Sequence, residues 1–229
     1  MGLVHAGLRV GLALLPVFTF LLVLVLMDSY KLVRPRQVGW MLAAGAAAAI
    51  ASLGLNALLL ELVDVDPTAV NRYFAPLVEE ILKGVAVTWV VARRRVGFLV
   101  DAAILGFAVG AGFAALENLH YLVTLSQPSL LLWSVRGFGT AVMHGSVTAI
   151  LAILSKQLAD IHGGHRPWVY LPGLAIAVLL HSGFNHFVLS PSMTTIAMLL
   201  LLPIFFVTVF TFSERRTRDW LGVGFDTDA

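Results

Sequence analysis

Glu79, Glu80, Lys83, Glu117, His144 and His181 are ionisable residues set inside strongly apolar stretches, with Asn118 and Asn185 beside them. A glutamate next to a histidine can hold and deprotonate a water. A second histidine and an asparagine can donate hydrogen bonds to a developing oxyanion. Two histidines and a glutamate can instead hold a zinc ion that activates the water, with Glu117, His144 and His181 as candidate ligands. Either scheme hydrolyses an amide. Serine-nucleophile chemistry is disfavoured, because Ser146 and Ser182 are close to the histidines in sequence but face other directions on a helix.

The elements that position these groups must lie in lipid. The chain has 229 residues, of which 59% are hydrophobic and 12% charged, and its mean hydropathy is +0.91. Soluble domains are about 45–50% apolar and about 25% charged. Apolar runs predict an all-α, polytopic transmembrane bundle of seven spans, over 9–28, 38–60, 73–92, 97–124, 134–157, 168–189 and 193–212, followed by a tail over 213–229. One integral membrane domain over 1–229 leaves no room for a separate soluble unit. The first run is long and lacks a small-residue cleavage site, so it reads as a retained span. With no cysteine, disulfides are excluded and a metal must be held by His, Asp, Glu or carbonyl oxygen. Nucleic-acid motifs and phosphate-cradling loops are absent from the sequence, and the lipid bilayer is the first partner.

Basic residues set the orientation. Lys31, Arg34, Arg36, Arg93 to Arg95, Lys156, Arg166, Arg215, Arg216 and Arg218 fall in alternate loops and the tail, against Arg9, Arg72 and Arg136 on the other side. The positive-inside rule puts the first set, and the C-terminus, in the cytoplasm and the N-terminus outside. The chain is therefore expected in the cell membrane.

A charged side chain at a helix centre costs about 2.5–3.5 kcal/mol, and such groups usually face the bundle interior and mark a functional pathway. At about 1.5 Å per residue, Glu79, Glu117, His144 and His181 all reach the middle or outer half of the bilayer. Agreement in depth predicts one cavity open to the outside. Lys83 is four residues from Glu79 and three from Glu80, so it can pair with either. His181 and Asn185 share a face, and Gly106 and Gly110 permit close helix approach. Simpler roles fit other residues. His120 and Tyr121 read as interfacial anchors and His186 as structural. Asp101 reads as a surface ion-pair partner, and His162 and His165 as solvated.

In order along the chain, Glu79 to Lys83 reads EExxK, Gly112 to Asn118 reads GFxxxEN, a lone His144 follows, and His181 to Asn185 reads HxxxN. This order, over roughly 70–190, resembles the PrsW family of intramembrane proteases, which is similar to the type II CAAX prenyl endopeptidases. The resemblance implies a peptidase that makes the extracytoplasmic cut in single-span membrane proteins such as anti-sigma factors. It implies that Glu79 or Glu80 activates water, aided by Glu117 and His144, while His181 and Asn185 bind the substrate carbonyl oxygen. The CAAX relatives typically carry His where this chain has Glu117. Two other readings share these residue types. They are a proton-coupled transporter or channel, and a non-catalytic membrane scaffold.

Overall fold

Proline opens three of the helical segments. Pro35, Pro67 and Pro167 each occupy a first-turn position, where the missing N–H has no intrahelical partner to lose. The computed structural model describes residues 2–28, 33–93, 95–125, 129–162 and 166–188, with separate positions between 200 and 222. In chain order the helices are α1 (Gly2–Met27), α2 (Pro35–Leu62), α3 (Pro67–Ala69), α4 (Ala75–Ala92), α5 (Leu99–Thr124), α6 (Leu130–Ile161) and α7 (Leu171–Val188). A π-helical turn, Val70–Phe74, joins α3 to α4, and a 3-10 turn, Pro167–Tyr170, leads into α7. No strand occurs among the described residues.

Among the described residues five stretches are long and apolar enough to cross a bilayer: Val4–Met27, Pro35–Leu62, Leu99–Thr124, Arg136–Ile161 and Pro167–His186. The stretch expected over 73–92 is helical as α4, and what sets it apart from those five is three charged residues, Glu79, Glu80 and Lys83, within its 18 residues. The run expected over 193–212 lies largely outside the described residues, although described positions in it, among them Leu200, Ile204 and Thr208, are helical. His165 also lies outside them, as does most of 217–229.

The centre is the α5–α6 pair. In their most apolar windows 83% and 89% of residues are buried, against 22–28% for the other three stretches. Lipid gives no hydrophobic drive to helix pairing, so close van der Waals contact must do this work. Gly110 supplies it, since a Cβ there would collide with the His144 carbonyl. Gly112 does the same on the other side of α5, where a Cβ would strike the Leu42 carbonyl of α2. These two glycines fix how near α6 and α2 stand to the polar groups of α5.

Asp101 departs from its expected place at the surface. It is buried, and its Oδ2 accepts hydrogen bonds from the backbone N–H of Gly97 (3.1 Å) and Phe98 (3.0 Å). Two N–H groups at the start of a helix have no carbonyl behind them, so an acidic residue in the first turn serves as the cap.

Candidate active site

The site is assembled from α4, α5, α6 and α7. Lys83 and Glu80 are both fully buried, and Lys83 Nζ donates to Glu80 Oε1 at 2.5 Å. Lys83 Nζ also lies 3.0 Å from His144 Nδ1 and 4.6 Å from the centre of the Phe113 ring. An ammonium only donates, so His144 Nδ1 accepts from it. The neutral ring then carries its proton on Nε2 and donates it to Glu117 Oε2, 3.1 Å away. Arg136 flanks the same carboxylate, with Nη2 at 3.8 Å, and its guanidinium stacks on Tyr121 at 3.8 Å from the ring centre.

The second histidine has the opposite proton arrangement. His181 Nδ1 lies 2.7 Å from Glu80 Oε1. An ionised carboxylate only accepts, so Nδ1 is the donor, and the lone pair stays on Nε2. That nitrogen faces Glu79 Oε2 at 3.7 Å. The two imidazoles meet edge to face, with ring centres 4.9 Å apart. Glu80 and Lys83 therefore hold both histidine rings, and the Glu80–Lys83 pair is itself stabilised by two neutral hydrogen-bonding neighbours. A buried ion pair without such support seldom recovers its desolvation cost.

Glu79, His144 and His181 can each offer a ligand atom, and those atoms lie within 4.8 Å of one another. The set suits a divalent metal. Glu79 Oε2 is buried with no hydrogen-bond partner, and His181 Nε2 has a lone pair to give. His144 can join them as its other neutral tautomer, with the proton on Nδ1 and the lone pair on Nε2. With its three carboxylates ionised, the cluster also holds one more negative charge than Lys83 and Arg136 balance. Glu117 and Glu79 both line a cavity of about 170 Å³, together with Ser52, Asn56, Asn71, Phe113 and Tyr121.

The remaining motif residues hold helices together. Asn118 Nδ2 donates to the Ala13 carbonyl and to Thr140 Oγ1, both at 2.9 Å, tying α5 to α1 and α6. Asn185 Nδ2 donates to the Asn71 carbonyl at 2.9 Å, and Ser182 Oγ to the Arg72 carbonyl at 2.5 Å. Both acceptors belong to the π-helical turn. A π turn inside a helix leaves the regular bonding pattern, and such turns often occur at functional sites. Here it supplies the carbonyls that dock α7, and with it His181, against the helix bearing Glu79.

Two features of the site were not legible as motifs. The metal-competent trio contains Glu79 where the sequence offered Glu117, because relative rotation of helices is invisible in spacing alone. Arg136 reads as a topology residue, yet Arg136, Thr140 and His144 recur every four residues and so form one stripe on α6. That spacing was the available signal.

Fold and site together define an integral membrane hydrolase with buried glutamates and histidines on four packed helices. The chain belongs to the PrsW family of intramembrane metalloproteases, whose family profile matches residues 34–211. It is accordingly a membrane protease acting on membrane-embedded substrates, and the family description as metalloproteases agrees with the Glu79, His144 and His181 trio. No curated protein and no solved structure matches the chain.

Proposed function

We propose that the chain hydrolyses peptide bonds of single-span, membrane-anchored proteins, such as anti-sigma factors, near the extracytoplasmic face of the cell membrane. The observation that carries this reading is the convergence of Glu79, His144 and His181 beside a cavity that also contains Glu117. In this reading residues 1–229 form one multi-pass domain of seven spans. The N-terminus is outside and the C-terminus cytoplasmic, as the distribution of Lys and Arg supports.

Glu79, His144 and His181 would hold a zinc ion. When bound, the metal supplies Lewis acidity and makes water nucleophilic near neutral pH. Glu117, the partly exposed carboxylate at the cavity wall, takes the proton of the attacking water and delivers it to the leaving amine nitrogen as the C–N bond breaks. Glu80 and Lys83 orient the two imidazoles through their inner nitrogens. Asn118 and Asn185 keep α5 and α7 in register with the helices they bind.

The test is purified protein in liposomes with single-span reporters labelled on either side of the outer juxtamembrane segment. Cleavage on that side is expected, and Glu79→Gln or His144→Ala should lower it at least about 100-fold. Full activity of both variants overturns the reading. A reporter domain fused after Ala229 that is active only outside the cell overturns the orientation.

A further inference from the structure

Among the residues that line the cavity beside Glu79 and belong to no motif is a polar one on α2, Asn56. Asn56 lies in α2, on the same stripe as Ala49, Ser52, Leu53 and Leu60, all of which face the cavity. Its Oδ1 is buried and has no hydrogen-bond partner. Buried polar groups are nearly always satisfied, and an exception inside a cavity marks a position where something else binds. Ser52 does not fill this role, because its hydroxyl is already donated to the Ala49 carbonyl at 3.1 Å.

We propose that Asn56 is a substrate-binding residue whose Oδ1 accepts a main-chain N–H from an unwound segment of the membrane-anchored substrate. The segment lies between α2 and the helix running from Pro67 to Ala92, so that its scissile bond reaches Glu79. This rests on the peptidase reading above and names the part of the substrate that the site takes.

Three observations carry it. The free atom is an acceptor, so its complement is an N–H donor. The N–H groups inside a helix are already bonded to carbonyls four residues back, so a donor is free only where the substrate is unwound or in a first helical turn. The cavity is continuous from Leu60 and Pro67, at the α2–α3 connection, to Glu79 and Glu117, which gives the segment a path to the carboxylates. Its walls include Ala49, Ser52 and Ala75, all small.

The test uses the full chain in liposomes and a synthetic single-span peptide with an Ala/Ser-rich outer juxtamembrane segment. Asn56→Leu removes an unsatisfied buried acceptor and keeps the same branched side-chain skeleton, with a cavity beside it to take the larger methyls, so the protein should melt at or above the wild-type temperature. Its KM should rise about tenfold, the worth of one hydrogen bond, while kcat stays within about twofold. Because the chain has no cysteine, Asn56→Cys introduces a single thiol. In a Glu79→Gln background, a small methanethiosulfonate reagent should label it, and the peptide should slow labelling several-fold. An unchanged KM, or a thiol labelled equally fast with and without the peptide, overturns the proposal. If wild-type protein cleaves neither this peptide nor any reporter, the peptidase reading falls. The labelling arm then still decides whether the cavity receives the segment.

Discussion

Lys83 Nζ and His144 Nδ1 stand 3.0 Å apart, although 61 positions separate them in sequence. This contact joins the EExxK helix to the helix of the lone histidine, and it sets which nitrogen of His144 carries a proton. It also keeps the Lys83 charge between Glu80 on one side and the face of Phe113 on the other. The apolar Phe113 of the GFxxxEN stretch is thereby part of the site, with its ring centre 4.8 Å from that of His144.

Replacing Lys83 with Met should therefore do two separable things. Proteolysis should fall at least about 100-fold, because His144 loses the Nδ1 partner that orients its ring. Stability in detergent should fall by about 3–5 kcal/mol, because Glu80 is left as a buried unpaired carboxylate. The double variant Glu80→Gln with Lys83→Met should recover most of the stability and none of the activity. Thermal unfolding and a cleavage assay on the same preparations check both parts. Recovery of activity in the double variant would show that the pair is a structural staple alone.

Gly110→Ala tests whether helix spacing governs the site. The added methyl meets the His144 carbonyl, and overpacking of this kind costs typically about 1–3 kcal/mol. The shift of α6 should carry His144 away from Lys83 and Glu117 and reduce cleavage at least tenfold, since displacements near 1 Å cost about 100-fold. Gly54→Ala is the control, because nothing lies within 4 Å of its added methyl, and it should leave activity unchanged and the melting temperature equal or slightly higher, since alanine favours a helix interior.

These two cases show why the sequence carried part of the site and not the rest. Depth along a helix is a matter of counting residues, so the common level of Glu79, Glu117, His144 and His181 was readable from apolar run lengths. Rotation of one helix against another is not, because it is set by contacts such as Gly110 against His144 and Gly112 against Leu42. Which carboxylate stands beside the two histidines, and which of Glu79 and Glu80 meets Lys83, depend on that rotation. Asn185 illustrates a further limit. Its place four residues after His181 was plain, but its amide bonds Asn71, a carbonyl exposed by a π-helical turn that no residue pattern announces. Tyr121, read as an interfacial anchor, lies under the Arg136 guanidinium, a contact between α5 and α6 that spacing along either helix does not reveal.

Arg136 should tune Glu117 rather than bind metal. Its Nη2 lies 3.8 Å from the carboxylate, and removing it as Arg136→Met should lower kcat about tenfold with little effect on metal content. Arg136→Lys should recover only part of this, since a lysine loses the planar stack on Tyr121. Tyr121→Phe keeps the ring and should retain near-full activity, whereas Tyr121→Leu should resemble Arg136→Met. Equal activity for Tyr121→Leu and wild type would remove the stack from the argument.

Metal content separates the ligands from the proton carrier. Glu79, His144 and His181 can bring their ligand atoms within 4.8 Å of one another, whereas Glu117 stands outside that trio with Arg136 at its carboxylate. Protein purified without chelator should carry about one zinc per chain, and three-ligand sites of this composition are typical of catalytic zinc. Chelation should abolish cleavage, and added zinc should restore it. Glu79→Gln, His144→Ala and His181→Ala should each lose the metal, measured by elemental analysis after gel filtration, and lose activity with it. Glu117→Gln should behave differently, retaining the metal while turnover falls at least about 100-fold, because it removes the group that accepts the water proton. The opposite pair of results, with metal kept by Glu79→Gln and lost from Glu117→Gln, would restore the Glu117, His144 and His181 set suggested by the sequence. It would also move the proton-carrying role to Glu79, whose Oε2 has no hydrogen-bond partner and is the other carboxylate lining the cavity.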